Sequence, residues 1–279
     1  MRRTLLIAGL AVREALRCKI ALAGALLGTA FLVIFGSGFY FINLELRENP
    51  PMSLFFAEQQ INFVVMFGLY AVNFLAVAMA VLISVDSLSG EITSGTMQAL
   101  AARPLRRFEI VLGKWLGLSL MAGLYLLLLG GGVLLIVGWI SGYHLPDPWQ
   151  GLLLIYLECL LVMTVSLACS SALSTLAAGA VVFGLYGLAL LGGWVEQFGS
   201  LVGNPTAMDI GIFTSLILPS EALWKYAAYL MSSPVLRALG GMSPFLSSVV
   251  PSPLMLGYAL VYLLLVFTLA LTIFQRRDL

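Results

Sequence analysis

The sequence predicts an all-α, polytopic membrane protein with six membrane-spanning helices, and three observations lead to this fold class. Of its 279 residues, 61% are hydrophobic and only 10% are charged. The mean hydropathy is +1.04, whereas a soluble domain has about 25% charged residues because water must solvate its surface. Six separate apolar stretches are each long enough to cross the hydrocarbon core as a helix. We expect one transmembrane domain over residues 1–279.

The first 19 residues predict an amphipathic helix that lies at the membrane surface. On a helical wheel one arc is apolar, and the opposite arc is basic with one glutamate. The apolar arc comprises Leu5, Ala8, Val12, Ala15 and Leu16. The polar arc comprises Arg2, Arg3, Arg13, Glu14 and Arg17, interrupted by Leu6 and Leu10. This pattern is typical of interfacial helices; the alternative is the start of a long first span.

Six spans follow this helix. They cover about residues 20–43, 60–85, 114–140, 149–170, 175–195 and 254–274. Gly24 and Gly28 in the first span, like Gly184 and Gly187 in the fifth, have a spacing that lets a neighbouring helix approach closely. We predict helix packing at all four glycines rather than substrate binding.

The distribution of basic residues predicts the orientation of the spans. Eleven of the 14 lysines and arginines lie before span 1, between spans 2 and 3, or after span 6. The positive-inside rule therefore predicts that both termini lie in the cytoplasm.

The connection between spans 5 and 6, residues 196–253, is long and is predicted to lie on the outer side. Within it, Ser220 is a candidate cap and Glu221 a favourable first-turn residue for a short amphipathic helix. This helix is too short to span and is predicted to lie against the outer surface. The alternative is that part of the segment dips into the bilayer.

The loop between spans 2 and 3, residues 87–113, is the most structured polar segment of the chain. A short helix is predicted to begin near Thr93, and Pro104 stops or kinks it. A solvated loop that only sets topology would explain the arginines. It would not explain the order of an acid, a capped helix and a proline.

This loop resembles that of type-2 ABC transporter permeases. The resemblance rests on Glu91, Gly95, Thr96, Leu100, Pro104, Arg107, Glu109, Gly113 and Lys114. The stretch Arg13–Arg17 and the ending Phe274–Leu279 are also similar to those of the family, so the resemblance covers essentially the whole chain. The segment Leu218–Trp224 is similar to the subgroup of permeases for multicopper-enzyme maturation, which includes the permease serving nitrous oxide reductase.

The resemblance implies one half of an export pathway in the inner membrane of a prokaryote. A second copy or a related permease would complete the pathway, and a separate ABC ATPase subunit would bind ATP and Mg²⁺. No Gly-x-x-x-x-Gly-Lys-Ser/Thr motif occurs in the sequence, so we expect a non-catalytic chain without its own cofactor. Further expected partners are the lipid bilayer and an extracytoplasmic client or accessory protein, but not nucleic acid.

The same resemblance implies that the loop transmits the motion of the ATPase. The expected coupling residues are Glu91, Gly95, Thr96, Met97, Leu100, Arg103, Pro104 and Arg107. Met97 and Leu100 would make apolar contacts with the ATPase. Glu91 would pair with a basic residue, and the arginines with acidic groups or lipid phosphates.

Glu158 is the one acidic residue well inside a predicted span. A charge there is costly, so Glu158 is a candidate functional residue of the pathway. The alternative is a partnered or protonated glutamate at a helix contact. With three cysteines and one histidine, a metal site is not expected. A second function class stays open, namely a membrane scaffold or sensor that couples an ATPase to a change of shape without solute flux.

Overall fold

The computed structural model describes residues 2–17, 19–49, 54–93, 107–233 and 252–276. Over these ranges the chain forms helices joined by short turns and contains no strand. The helices are α1 (Arg2–Arg17), α2 (Lys19–Glu48), α3 (Leu54–Thr93), α4 (Arg107–Ser141), α5 (Pro148–Ala172), α6 (Thr175–Val202), α7 (Pro205–Ile217), α8 (Ser220–Met231) and α9 (Pro253–Arg276).

Six of these helices are long and apolar enough to cross a membrane, which confirms the predicted fold class. They are α2, α3, α4, α5, α6 and α9. Helix α3 has 40 residues and α4 has 35. At 1.5 Å per residue these helices are roughly 60 and 50 Å long, well above the ~30 Å hydrocarbon core. Both are therefore long enough to project beyond the hydrocarbon core.

The two ends of the predicted loop between spans 2 and 3 are helical. Residues 87–93 continue α3, and residues 107–113 begin α4. Leu88, Ile110 and Val111 are buried in these turns. Their apolar contacts extend both helices past the point where hydropathy falls. The rest of the loop, with the predicted coupling helix, lies outside the described residues.

The bundle has two ends, which polar contacts define. At the proximal end, where α3 ends and α4 begins, the Ser89 hydroxyl lies 2.7 Å from the Thr175 hydroxyl of α6. At the distal end, where α4 meets α5, the Asn62 amide of α3 donates to the Tyr143 hydroxyl at 2.9 Å. Helices α3 and α5 are the most buried spans, whereas α2 and α9 lie at the periphery.

Helix α1 packs on the proximal half of α4 with a face next to its predicted apolar arc. Its buried side chains are Ile7, Ala11 and Ala15. A Cβ added at Gly113 would lie 2.9 Å from the Thr4 carbonyl oxygen. One at Gly117 would lie 2.6 Å from the Ala8 carbonyl oxygen. The two glycines admit the small residues of α1, and the large side chains Leu5, Leu6, Leu10 and Leu16 stay exposed.

The segment predicted to lie on the outer side, residues 196–253, begins within the last turns of α6. There α6 forms a helical hairpin with α7. Helix α6 continues to Val202, and α7 returns beside it, with Gly199 facing Ala207 and Gly192 facing Thr214. Because glycine has no side chain, the two backbones approach closely and the chain doubles back. With 13 residues, α7 is about 20 Å long and too short to span.

The turn of this hairpin uses residues suited to it. Gly203 has a φ of 72°, a left-handed conformation that glycine adopts without steric strain. The Asn204 side-chain oxygen then accepts from the backbone N–H groups of Thr206 and Ala207 at 3.1 and 3.4 Å. This is the N-cap arrangement that satisfies the first turn of a helix.

Helix α8 is the predicted short helix of residues 220–231, but it does not lie on the surface. Its buried apolar side chains are Ala222, Leu223, Trp224, Ala227, Ala228 and Met231. Gly151 of α5 faces Met231, and Gly193 of α6 faces Glu221. The helix begins after Pro219, and the Ser220 hydroxyl makes no capping hydrogen bond. The surface position was predicted because the helix is too short to span, whereas its charged residues Glu221 and Lys225 are buried inside the protein.

Candidate functional site

A cluster of buried ionisable side chains occupies the distal half of the protein, where α3, α5, α6 and α8 meet. The Lys225 ammonium of α8 lies 2.7 Å from Glu196 Oε2 of α6. Their side chains are only 6% and 11% exposed. In a buried ion pair each charged group loses its hydration and has only the opposite charge in its place. Removal of either partner therefore leaves an uncompensated charge in the interior.

Glu221 lies one helical turn before Lys225 on α8 and is also buried. Burial is the main reason that its pKa is raised to about 7. The Lys225 ammonium lowers this pKa, and the Glu196 carboxylate raises it. Glu221 therefore changes charge near neutral pH, in a helix that is not one of the six spans.

Glu158 of α5 lies at the contact with α3 and is 1% exposed. Its Oε1 accepts a hydrogen bond from the Asn73 side-chain amide at 3.3 Å. Glu158 Oε2 and Asn73 Oδ1 have no hydrogen-bond partner within the described part of the chain. Glu221 is close enough for the two carboxyl groups to repel each other. We call Asn73, Glu158, Glu196, Glu221 and Lys225 the distal polar cluster.

Aromatic side chains enclose this cluster. The rings of Tyr70 and Trp224 pack edge to face with centroids 5.2 Å apart. The Trp194 indole N–H donates to the Tyr70 hydroxyl at 3.2 Å. Because the residues of the cluster are buried, its charges interact through a medium less polar than water.

A cavity of about 450 Å³ adjoins the ion pair, between α6, α7, α8 and α9. Glu196 and Lys225 line it together with Ile212, Leu216 and Tyr258. Most of its wall is apolar, so its chemistry suits an amphipathic group better than a small ion. The charged pair is the polar part of this wall.

The sequence identified Glu158 but missed the rest of the cluster. Glu196, Glu221 and Lys225 fell in a segment that was predicted to face outward. One signal was available, because Glu221 and Lys225 stand four residues apart among alanines and aromatic residues. Two opposite charges at this spacing lie on the same face of a helix.

Few of the predicted coupling residues lie in described segments. Glu91 belongs to the last turn of α3, and Arg107 begins α4. Gly95, Thr96, Met97, Leu100, Arg103 and Pro104 lie outside the described residues. The Arg107 guanidinium donates to the backbone carbonyls of Phe274 and Gln275 at 3.2 and 2.8 Å. It thus neutralises the carbonyl end of α9, and its contact with an ATPase stays a prediction.

The four glycines predicted to pack helices fall into two groups. A Cβ at Gly24 would lie 2.5 Å from the Met79 sulfur of α3, and one at Gly28 would lie 2.9 Å from Leu129 Cδ2 of α4. Both therefore lie at contacts of α2. Gly184 and Gly187 face open space, with no atom of the described chain within 4 Å of an added Cβ.

No group of three or more His, Cys, Asp or Glu side chains in the described ranges is arranged to hold a metal ion. Cys159 and Cys169 of α5 are free thiols, the first buried and the second partly exposed. The distal polar cluster is built from carboxylates, one ammonium and an amide.

Comparison with known proteins agrees with the resemblance seen in the loop. No curated protein matches the chain. Residues 7–279 match the family model described as "ABC-2 family transporter protein". The match does not extend to a subgroup, so the link to multicopper-enzyme maturation stays a prediction. Because the match spans nearly the whole chain, the protein belongs to the ABC-2 transporter family as a multi-pass membrane permease subunit of an ABC transporter.

Proposed function

We propose that this permease is one half of an exporter in a prokaryotic inner membrane, with its proximal end in the cytoplasm. A separate ABC ATPase subunit binds there and supplies the energy. The projection of α3 and α4 beyond the hydrocarbon core is the main structural support, because it presents their connection to a soluble partner. The basic residues Arg103, Arg106 and Arg107 at this connection favour the cytoplasmic side.

The sequence supports the proposal of a separate ATPase. The 279 residues contain no phosphate-binding Gly-x-x-x-x-Gly-Lys-Ser/Thr motif. Gly113 and Lys114 stand next to each other, but Trp115 follows them where that motif has Ser or Thr. Lys114 is also 3% exposed and binds the Ser87 carbonyl instead of a nucleotide.

The second half of the pathway is proposed to be a second copy that packs on α6. Gly184 and Gly187 form an open groove on this helix. Leu188 and Leu191 continue the same face and are 56% and 60% exposed. Lipid covers any apolar face, but small residues at this spacing favour close approach of another helix. Exposed Trp194 and Phe198 extend the surface toward the distal end.

Co-purification and reconstitution test this function. The tagged permease, expressed in its native host, is expected to retain an ABC ATPase in mild detergent. In liposomes the complex should move fluorescent lipid or amphipathic dye probes only when ATP is supplied. Hydrolysis that depends on the permease but moves none of these probes would support the scaffold or sensor function instead. Absence of any ATPase would contradict both.

A further inference from the structure

A serine-rich part of α3 lies just inside the proximal end. We call residues 84–90, Ser-Val-Asp-Ser-Leu-Ser-Gly, the serine segment. These are mostly poor helix formers. The hydroxyls of Ser84, Ser87 and Ser89 donate to carbonyls three or four residues earlier, at 3.1, 2.9 and 2.9 Å. Such bonds compete with the helical ladder and bend helices, so the segment is a weak point in α3.

A hydroxyl from α5 bonds to both backbone groups of one turn of the helical ladder at this weak point. Ser170 Oγ accepts from the Ser89 backbone N–H at 3.1 Å and donates to the Val85 carbonyl at 2.7 Å. In an α-helix these two backbone groups are the donor and acceptor of one and the same hydrogen bond. Ser170 is fully buried. An inserted side chain of this kind is a recognised cause of helix bending.

The first turn of α6 holds the same segment through Thr175. Its hydroxyl lies 2.7 Å from the Ser89 hydroxyl and donates to Asp86 Oδ1 at 3.0 Å. On another side, the Lys114 ammonium of α4 donates to the Ser87 carbonyl. The serine segment is therefore connected by hydrogen bonds to three other spans.

We infer that the serine segment is a hinge, and that Ser170 and Thr175 are positioning residues that pass movement of the proximal end of α3 to α5 and α6. In one state Ser170 is inserted, as observed. In the other state the Ser89 N–H bonds directly to the Val85 carbonyl and Ser170 withdraws with α5. The inference rests on the proposed function, since an ATPase at the proximal end supplies the movement.

Both states leave the buried polar groups satisfied, as a two-state element requires. After withdrawal, the Ser170 hydroxyl can donate to the carbonyl of Ser166, one turn earlier on its own helix. Val85 and Ser89 become partners of each other. The exchange is therefore between two hydrogen-bonded arrangements, without a buried donor or acceptor left unpaired.

Hydrogen–deuterium exchange of the peptides covering residues 81–93 tests the hinge. The wild-type complex with its ATPase is measured without nucleotide and after trapping with ADP and vanadate. We expect exchange in the serine segment to differ between the two conditions. Ser170→Ala removes the hydroxyl and leaves the Ser89 N–H to bond directly to the Val85 carbonyl, so exchange without nucleotide should shift about two- to tenfold toward the value of the trapped complex. It should also remove most of the difference between the two conditions.

Ser166→Ala is the matched control. It makes the same change on the same helix, at a fully buried serine whose hydroxyl has no hydrogen-bond partner in the described structure. It should leave the nucleotide-dependent difference intact. At the more accessible Thr175, Thr175→Val should weaken this difference, and Thr175→Ser should restore it because the hydroxyl remains.

Two outcomes would overturn the hinge. One is equal exchange of the serine segment in both nucleotide conditions of the wild-type complex. The other is a Ser170→Ala variant that keeps the full wild-type difference in exchange between the two conditions. That result is expected if Ser170 only holds α3 and α5 together. Failure of any ATPase to co-purify would overturn the proposed function and this inference together, so the two failures are distinguishable.

Discussion

The buried ion pair between Lys225 and Glu196 offers the sharpest test of the distal polar cluster. Its two charged atoms lie 2.7 Å apart, and Glu221 lies on the same helix one turn before the lysine. Lys225→Met removes the ammonium group while keeping an unbranched apolar stem. Two buried carboxyl groups then lose the cation beside them. Breaking a buried pair in this way costs about 3–5 kcal/mol.

This loss is large enough to measure by thermal unfolding in detergent. One kcal/mol shifts the Tm of a chain of this size by about 2–4 °C, so Lys225→Met should lower Tm by roughly 6–20 °C. Circular dichroism follows the helices. Tryptophan fluorescence adds a local signal, since Trp224 is buried next to Lys225 in α8.

A double-mutant cycle separates charge from packing. Lys225→Met combined with Glu196→Gln should recover most of the lost stability, because no unpaired charge of the pair remains. Lys19→Met is the matched control, at an exposed lysine that begins α2, and should change Tm by less than about 2 °C. Equal losses in the single and double variants would refute the reasoning and assign the effect of Lys225 to packing alone.

Four further predictions follow from the site, from the proposed dimer and from the predicted coupling residues. The pKa of Glu221 is raised from 4.5 to about 7, so the folded chain holds this proton more tightly than the unfolded chain. Stability should therefore fall by about 3 kcal/mol as pH rises from about 4.5 to about 7 and then level off; Tm measured against pH should show this fall, and Glu221→Gln should flatten it. Gly187→Cys, in a variant without the native cysteines, should give a disulfide-linked dimer on mild oxidation, which a non-reducing gel shows. The control Leu135→Cys, on the exposed face of α4, should not. Equal cross-linking at both positions would exclude α6 as the dimer contact. Glu158→Gln should lower ATP-driven flux in liposomes by roughly tenfold, equivalent to about 1.4 kcal/mol, with normal membrane insertion; normal flux would show that Glu158 only partners Asn73. Glu91→Ala should leave ATP hydrolysis intact but reduce the substrate moved per ATP, and an unchanged ratio would remove Glu91 from the coupling residues.

The helices were predictable where one property repeats along the chain. Six apolar stretches predicted six spans, and all six are present. Hydropathy did not predict where these helices begin and end. The turns around Leu88 and Ile110 are helical because other helices bury these side chains, and a local average of hydrophobicity does not contain such contacts.

The segment between spans 5 and 6 shows a second limit. A helix too short to span was predicted to lie on the surface, yet α8 is buried and α7 folds back on α6. Gly192 and Gly199 allow this hairpin. Glycine alone predicts only that close approach is allowed, since the partner helix must also present a small surface.

The sequence by itself determined that this protein lies in a lipid bilayer, and it determined the fold class and the family. These properties depend on composition and on short motifs, which are the same in every arrangement of the helices. Only the tertiary structure decided that Glu196, Glu221 and Lys225 join Glu158, and that Ser170 enters the ladder of α3. Ser170 and its partner Ser89 stand 81 positions apart in the chain. Whether a polar group is buried and paired is a property of the partners that packing brings to it, so no local pattern contains it.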